Sequence, residues 1–313
     1  MVRMKAILTL FLIIASLQPL KSQYALDIGG NLGVANYLGE IGGGAGEARD
    51  WILDLKLEQS RWNPGFFMRY RLDYDFAIRA SLNYARLQAA DSLSLNPNRF
   101  TRNLSFTNDI FELALTGEYY FFNQPDVGRT GRYLLDLKAY VFGGIGVFYN
   151  NPRAKIDGKY YALQPLRTEG QIDPYSKFQV AIPFGFGFYY TYARIHRFGL
   201  DLGFRITFTD YIDDVSTLYP DPDGLDSDIA RSLSNRTPEV LDDSRSKTPD
   251  AFGVPISTYY RESGIRGNPK ANDSYLMGSV SYSYVIRGKA KSFSKRKNYL
   301  YGRKRGRSGR ARF

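Results

Sequence analysis

The chain has 313 residues and a formal net charge of +11, and it contains 25 Tyr, 21 Phe and 30 Gly but no Cys. The lack of Cys excludes disulfide bonds, thiolate metal sites and lipid attachment through a lipobox thiol. A mean hydropathy of −0.35, with no apolar run of about 18 residues beyond the N-terminal segment, excludes a helical membrane protein. A search for long apolar runs does not detect a transmembrane β-barrel, because its strands alternate apolar and polar side chains.

The N-terminal segment, residues 1–22, has the pattern of a secretory signal peptide. Arg3 and Lys5 form a positively charged region, residues 6–15 form an apolar stretch, and a small residue precedes Gln23 as the expected mature N-terminus. The alternative is a buried N-terminal helix. The stretch is too short for a membrane anchor and strand-like alternation begins directly after it, so we expect export.

Eight further segments alternate apolar and polar residues with a period of two, the pattern of strands that have two different faces. In the sixth segment every second residue from Phe178 to Tyr192 is apolar. The predicted strands are residues 24–36, 65–72, 76–87, 109–122, 132–149, 177–192, 199–211 and 274–288.

The connections between these strands alternate in length. The short ones are residues 73–75, 123–131 and 193–197, and the long ones are residues 37–64, 88–108, 150–176 and 212–273. Short turns at one rim and long loops at the other are typical of outer-membrane barrels. The sequence therefore predicts an all-β fold. Residues 23–288 are expected to form an eight-stranded antiparallel transmembrane β-barrel in the cell outer membrane, with short periplasmic turns, long extracellular loops and a basic C-terminal tail.

Charges of both signs lie on the polar faces of most of these strands. An eight-stranded barrel has room for packed side chains but not for a wide channel, and a lone buried charge is costly, so we expect ion pairs that fill the lumen. The predicted lumen ion-pair residues are Asp27, Arg69, Arg71, Arg79, Glu112, Glu118, Asp136, Lys138, Asp201 and Arg205. A water-soluble, lipocalin-like barrel would instead turn the apolar rows inward, but the number of large apolar residues favours contact with lipid.

The C-terminal segment, residues 289–313, contains eleven Lys or Arg and no acidic residue, so it carries the whole net charge of the chain. Such a block is typical of a disordered binding segment. A nucleic-acid arm conflicts with export. The open alternatives in the periplasm are an acidic protein, anionic lipid headgroups of the inner leaflet, the carboxylates of peptidoglycan, and a solvated extension without a partner. We predict that this tail binds a periplasmic partner through Lys295, Arg296, Lys297, Tyr299, Tyr301, Arg303, Lys304, Arg305, Arg307, Arg310 and Arg312.

Candidate residues for chemistry are few. The one histidine, His196, is expected in a periplasmic turn and has no evident nucleophile beside it, so we predict no enzyme activity. The segment from Asp221 to Asp228 has oxygen ligands at close spacing, as in a calcium loop, but Ser232 stands where an EF-hand loop needs Glu. Calcium binding there is left open, and no cofactor is predicted.

Four segments resemble a known family. They are residues 36–40 (NYLGE), 76–82 (FAIRASL), 102–106 (RNLSF) and 110–113 (IFEL). Together they are similar to the PorG-like outer-membrane barrels of the type IX secretion system and gliding machinery of Bacteroidetes. The likeness covers residues 24–122. It implies a non-enzymatic component that associates with a periplasmic ring, formed by a lipoprotein and its partner.

Three functions therefore compete at this point. The first is a structural component of protein secretion that contacts a periplasmic ring through the tail. The second is a passive small barrel, serving as a solute pore or as a surface adhesin with its long loops. The third is a lipid-modifying barrel enzyme, which would depend on His196.

Overall fold

Ten strands and three short α-helices lie in the described part of the chain. The computed structural model describes residues 26–42, 57–94, 96–127, 135–242 and 264–286. The strands are β1 (Leu26–Leu38), β2 (Arg61–Arg71), β3 (Phe76–Ala90), β4 (Ser105–Gln124), β5 (Leu135–Tyr149), β6 (Arg153–Ile156), β7 (Lys159–Ala162), β8 (Phe178–Tyr192), β9 (His196–Thr207) and β10 (Ser274–Ile286). The helices are α1 (Pro97–Arg102), α2 (Asp228–Ser234) and α3 (Thr237–Asp242). The predicted signal peptide and the basic tail lie outside the described residues.

Eight of the strands form a closed antiparallel barrel. Their order is β1–β2–β3–β4–β5–β8–β9–β10, and β10 pairs with β1 to complete the ring. Strands β6 and β7 form a hairpin that extends the wall above β4, where Arg153 pairs with Thr107. Long loops leave one end and short turns leave the other. The fold predicted from the sequence is therefore confirmed.

The outer surface of the barrel is an apolar band. In β4 the outward row runs from Phe111 to Phe121, and these two rings are 53% and 60% exposed. Their separation is about 34 Å along a strand, or about 26 Å in height at a strand tilt of about 40°. This height matches the apolar band of about 25 Å that transmembrane barrels present to lipid. The apolar rows thus face outward, and the soluble lipocalin-like alternative is wrong.

Above this band, β3 and β4 continue beyond their predicted ends and their pattern inverts. The inward positions become apolar, with Leu87, Phe106 and Ile110 fully buried, while the outward positions Arg86 and Asp109 are polar. Water wets the outer wall above the bilayer, and folded loops fill the mouth. The two faces of each strand therefore exchange their preference for polar and apolar side chains.

The long loops pack into the mouth of the barrel as a cap. Loop side chains and inward strand side chains share one apolar cluster, which includes Tyr37, Ile41, Leu87, Phe106, Phe148, Leu163, Ile212, Val215, Leu233 and Tyr275. The helices α1, α2 and α3 belong to this cap and have six or seven residues each. Among the residues described, none of the helices has the length and apolar character needed to cross a membrane.

Candidate functional site

A chain of ion pairs crosses the lumen below the cap. The register places Asp27 of β1 beside Arg69 of β2, and Arg69 beside Arg79 of β3. Arg69 Nη1 lies 3.2 Å from Asp27 Oδ2, and Arg69 Nε lies 2.7 Å from Glu118 Oε2. Arg79 lies 3.4 Å from Glu118 Oε1 and 3.3 Å from Asp201 Oδ2. Alternating charges thus connect five strands of the wall.

Arg197 joins this chain, although the sequence analysis placed it in a periplasmic turn. It lies in β9, is 4% exposed, and its guanidinium contacts the carboxylate of Asp27. The signal for it was present in the sequence, since Arg197 precedes Asp201 by an even number of residues and so shares its inward face. The strand begins at His196, earlier than the predicted start at Gly199.

A second group of buried polar contacts lies nearer the cap. Glu112 is fully buried and its Oε2 lies 3.3 Å from Arg205 Nε. The Tyr275 hydroxyl donates to Glu112 Oε2 at 2.8 Å, and Asn83 Nδ2 donates to Glu112 Oε1 at 3.2 Å. Each carboxylate oxygen therefore has partners, which offsets the cost of burying the charge.

Aromatic rings fill the space around the arginines. The guanidinium carbon of Arg69 lies 5.0 Å from the ring centre of Tyr189 and 5.5 Å from that of Tyr140, within the range of cation–π attraction. Gly187 on β8 makes room for this packing. A Cβ at that position would lie 2.5 Å from Asp201 Oδ1 and 2.8 Å from the Tyr140 ring.

The lumen also contains a small polar cavity beside Arg79, Asp201 and Arg205. Its volume is about 20 Å³, which is the space of roughly one water molecule. Side chains rather than solvent therefore occupy most of the lumen at this height. An arrangement of this kind cross-links the wall through ion pairs and aromatic rings.

Three of the predicted lumen residues form no ion pair with the described side chains. Arg71 donates from Nη2 to the Tyr189 hydroxyl at 2.7 Å. The Lys138 ammonium lies 5.0 Å from the ring centre of Tyr74 and 5.1 Å from that of Tyr120. Asp136 Oδ1 is buried without a hydrogen-bond partner among the described residues. These groups line the periplasmic mouth of the lumen.

Buried acids lie on the opposite, extracellular side, within the cap. The Tyr37 hydroxyl contacts Asp213 Oδ2 at 2.7 Å and Asp273 Oδ1 at 2.5 Å. One hydroxyl proton cannot serve two carboxylates at once, and burial together with the nearby Asp213 holds the pKa of Asp273 well above its usual value. Burial raises the pKa of Asp213 to about 7 and that of nearby Asp210 to about 8.

Arginines connect the loops of the cap. Arg102 Nε lies 2.7 Å from Asp91 Oδ2, and its other nitrogens donate to the carbonyl oxygens of Arg266 and Glu40 at 2.7 and 2.8 Å. Arg266 in turn lies 2.8 Å from Glu169 Oε1. The cap is therefore cross-linked by charged hydrogen bonds as well as by its apolar cluster.

The other sequence candidates have structural partners. His196 Nδ1 lies 2.9 Å from the Tyr282 hydroxyl on the outer wall. In the calcium-like segment, Asp221 accepts from the Asp223 N–H at 3.1 Å and Asp228 pairs with Arg231 at 2.6 Å. Within the described ranges, no group of three or more His, Asp or Glu residues is arranged to hold a metal ion. The eleven predicted partner-binding residues of the tail lie outside those ranges.

The fold and its interior define a small transmembrane β-barrel with an ion-paired lumen and a packed extracellular cap, the architecture of outer-membrane barrel proteins. The chain belongs to the family described as "Domain of unknown function (DUF6089)", whose model matches residues 4–227. No curated protein matches the sequence.

Three solved barrels are similar to the chain. The N-terminal β-barrel domain of Pseudomonas aeruginosa OprF has 11% identity and a TM-score of 0.34, covering 84% of this chain and 98% of that one. Neisserial surface protein A has 8% identity and a TM-score of 0.36, covering 83% and 97%. Ail, the attachment invasion locus protein of Yersinia pestis, solved with the heparin analogue sucrose octasulfate, has 8% identity and a TM-score of 0.32, covering 84% and 99%.

Proposed function

We propose that this protein is a non-enzymatic structural component of a type IX protein secretion machine, anchored in the outer membrane and contacting a periplasmic ring. The observation that carries the proposal is the packed lumen, in which Arg69, Glu118 and Arg79 form a continuous ion-paired plug. A barrel with a plug of this kind is suited to anchoring a partner. The sequence resemblance to PorG-like barrels supports a role in this machine and a contact with its ring proteins, a lipoprotein and its partner.

The direction of the chain supports a periplasmic contact. Strand β10 ends at Ile286, which pairs with Leu26 at the rim that carries the short turns. The basic segment 289–313 follows Ile286 in the chain, which supports a contact of that segment on the periplasmic side. The mouth at that rim holds the guanidinium of Arg71, whose positive charge repels a basic tail. We expect the tail to reach away from the lumen toward an acidic surface of the ring.

The test is recovery of the ring from crosslinked cells. Three proteins are compared: the full chain, a deletion of residues 289–313, and a full-length variant in which the eleven Lys and Arg of the tail are replaced by Gln. We expect the full chain to recover the ring lipoprotein and its partner, and both variants to lose them, because the contact depends on the positive charge of the tail.

The heat-modifiable electrophoretic mobility of the barrel serves as the control for folding. Recovery of the ring by the folded deletion variant would rule out the tail as the contact. Recovery by the Gln variant alone would mean that charge is not the basis of recognition. Failure of the full chain to recover any ring protein would refute the secretion role itself.

A second candidate is surface binding by the cap. Leu218 and Ile265 pair across a β-bridge there and are 57% and 77% exposed, and a contiguous exposed apolar patch marks a contact with another molecule. This candidate is compatible with the first, because the cap lies at the opposite end of the barrel from Ile286.

A further inference from the structure

A cluster of basic side chains lies on the outer wall just above the apolar band. Arg86 of β3 and Arg153 of β6 flank Asp109 of β4, with nitrogen–oxygen distances of 2.7 Å and 3.6 Å. The two arginine side chains are 40% and 44% exposed, whereas Asp109 is 17% exposed. Two cations share one carboxylate, so an exposed surplus of positive charge remains.

Further cations extend this basic cluster. Arg61 Nε donates to Gln88 Oε1 at 2.9 Å, which places the guanidinium beside the same stretch of β3. Lys155 follows Arg153 on the exposed face of the β6–β7 hairpin. At the same rim, Asn36 of the neighbouring strand β1 and Ser274 of β10 beyond it are uncharged. The cluster therefore ends at β2 on this side.

A row of aromatic side chains lies directly beneath the basic cluster. Ring centres are 5.3 Å apart for Trp62 and Tyr84, and 5.2 Å apart for Tyr84 and Phe111. The register continues this row through Tyr149 to Phe178. Aromatic rows of this kind lie at the boundary between hydrocarbon and headgroups, so the basic cluster lies at headgroup height.

The orientation of the arginines comes from the residues around them. Tyr84 donates its hydroxyl to Asp109 Oδ1 at 2.5 Å, and Arg86 Nε donates to the same oxygen at 2.7 Å. The Asp109 carboxylate therefore already accepts hydrogen bonds from side chains of the barrel wall. Arg86 Nη2 also donates to Asp109 Oδ2, at 3.3 Å, so the Nη1 side of Arg86 and the guanidinium of Arg153 remain for an anion. A guanidinium suits phosphate because it can donate two parallel hydrogen bonds.

We propose that Arg86 and Arg153 bind the phosphorylated headgroup of an outer-leaflet glycolipid, whose acyl chains lie against Trp62 and Phe111. The site depends on the outer-membrane placement proposed above but not on the secretion role. Charge complementarity and the continuity with the lipid-facing aromatic row identify a lipid as the occupant.

The experiment uses the processed full chain in detergent micelles, with a Trp51→Phe substitution that leaves Trp62 as the single tryptophan. Bisphosphorylated lipid A is titrated, and Trp62 fluorescence reports binding. We expect the R86A/R153A double variant to bind at least roughly tenfold more weakly, the loss expected when charged hydrogen bonds are removed. The matched control is Arg231→Ala, which removes a 43% exposed guanidinium from the cap and is expected to leave binding unchanged.

Two further arms distinguish the sources of phosphate. Dephosphorylated lipid A tests whether binding requires the phosphate groups. Inorganic phosphate tests whether binding requires the acyl chains. Equal affinity for both forms of lipid A, or unchanged affinity of the folded double variant, would overturn the proposal. Inorganic phosphate that binds as tightly as lipid A would also overturn it. If the double variant does not fold, Arg153→Gln tests one of the two arginines, since that residue lies on the β6–β7 hairpin above the eight-stranded ring, and unchanged affinity of this folded variant would overturn its part in the site.

Discussion

Glu118 shows how one side chain joins distant parts of the lumen. Its two oxygens pair with Arg69 and Arg79, and all three side chains are buried. Removal of the carboxylate would leave two buried guanidinium groups that face each other across β2 and β3 with only Asp27 and Asp201 to neutralise them. The contribution of this residue is therefore structural.

We expect Glu118→Gln to lower the free energy of unfolding by about 3–5 kcal/mol, the usual cost of removing one partner from a buried ion pair. Denaturant unfolding of the barrel in detergent measures this change. The matched control is Asp228→Asn, because Asp228 pairs with Arg231 but its side chain is 94% exposed, so less than about 0.5 kcal/mol should be lost. Equal losses of unfolding free energy in the two variants would show that the buried ion pairs of Glu118 contribute no more to stability than the exposed pair of Asp228.

The sequence indicated which residues turn inward, but not which of them pair. Asp27 and Arg69 lie on neighbouring strands, so their pairing follows once the register is known. Arg79 and Asp201 lie on β3 and β9, which are not neighbours in the wall. Their contact depends on the height at which each strand crosses the lumen, and alternation carries no information about height.

For the strands, the alternation of apolar and polar residues predicted the membrane-spanning part correctly. It did not predict where each strand begins and ends. Strand β2 begins at Arg61 and passes through Pro64, although proline lacks the N–H that a strand ladder uses. The upper parts of β3 and β4 were missed because their two faces exchange character above the bilayer. A rule based on an apolar outer face cannot recognise Leu87 or Phe106 as inward core residues.

The sequence of the β6–β7 hairpin contains a turn signature that period-two alternation does not detect. Asp157 and Gly158 separate two strands of four residues, and both have positive φ angles, 49° and 80°. An Asp-Gly pair is the preferred sequence of a type I′ turn, which joins two strands tightly. Strands of this length are too short to display a period of two, so the turn was the only available evidence.

The cap is expected to loosen as the pH rises. Burial, with Glu40, Asp213 and Glu169 nearby and Ser216 opposing, raises the pKa of Asp210 to about 8. A carboxyl group in an unfolded chain titrates near pH 4. The folded cap therefore holds an extra proton between these values, and its stability falls as the pH rises from about 4 to about 8.

Hydrogen exchange of peptides from residues 209–217 and 264–273, corrected for intrinsic rates, measures this effect. We expect faster exchange at pH 8 than at pH 6. Asp210→Asn mimics the protonated acid and should reduce the difference between the two pH values, whereas peptides from the barrel wall should show little difference. A pH dependence that is unchanged in this variant would assign the effect to another group, such as Asp213.

For the whole molecule, the packed lumen predicts the absence of a pore. Arg69, Arg79 and Arg197 are held by acids and rings, and ions cannot pass without breaking those contacts. We expect purified protein in planar bilayers to give no stepped current, at neutral pH and moderate salt. A porin inserted under the same conditions serves as the positive control. Regular single-channel steps from the folded protein would favour the passive-pore alternative.

The height of the outward charges also determines how deep the molecule sits. Arg86 and Asp109 lie one outward position above the rings of Tyr84 and Phe111. Sliding the barrel inward by a few ångströms would move these charges into hydrocarbon, where the cost of an arginine facing lipid rises from about 0–1 kcal/mol near the interface toward about 2–4 kcal/mol at the midplane. The barrel is therefore held at a constant depth, and any assembly attached at Ile286 keeps a constant spacing from the cell surface.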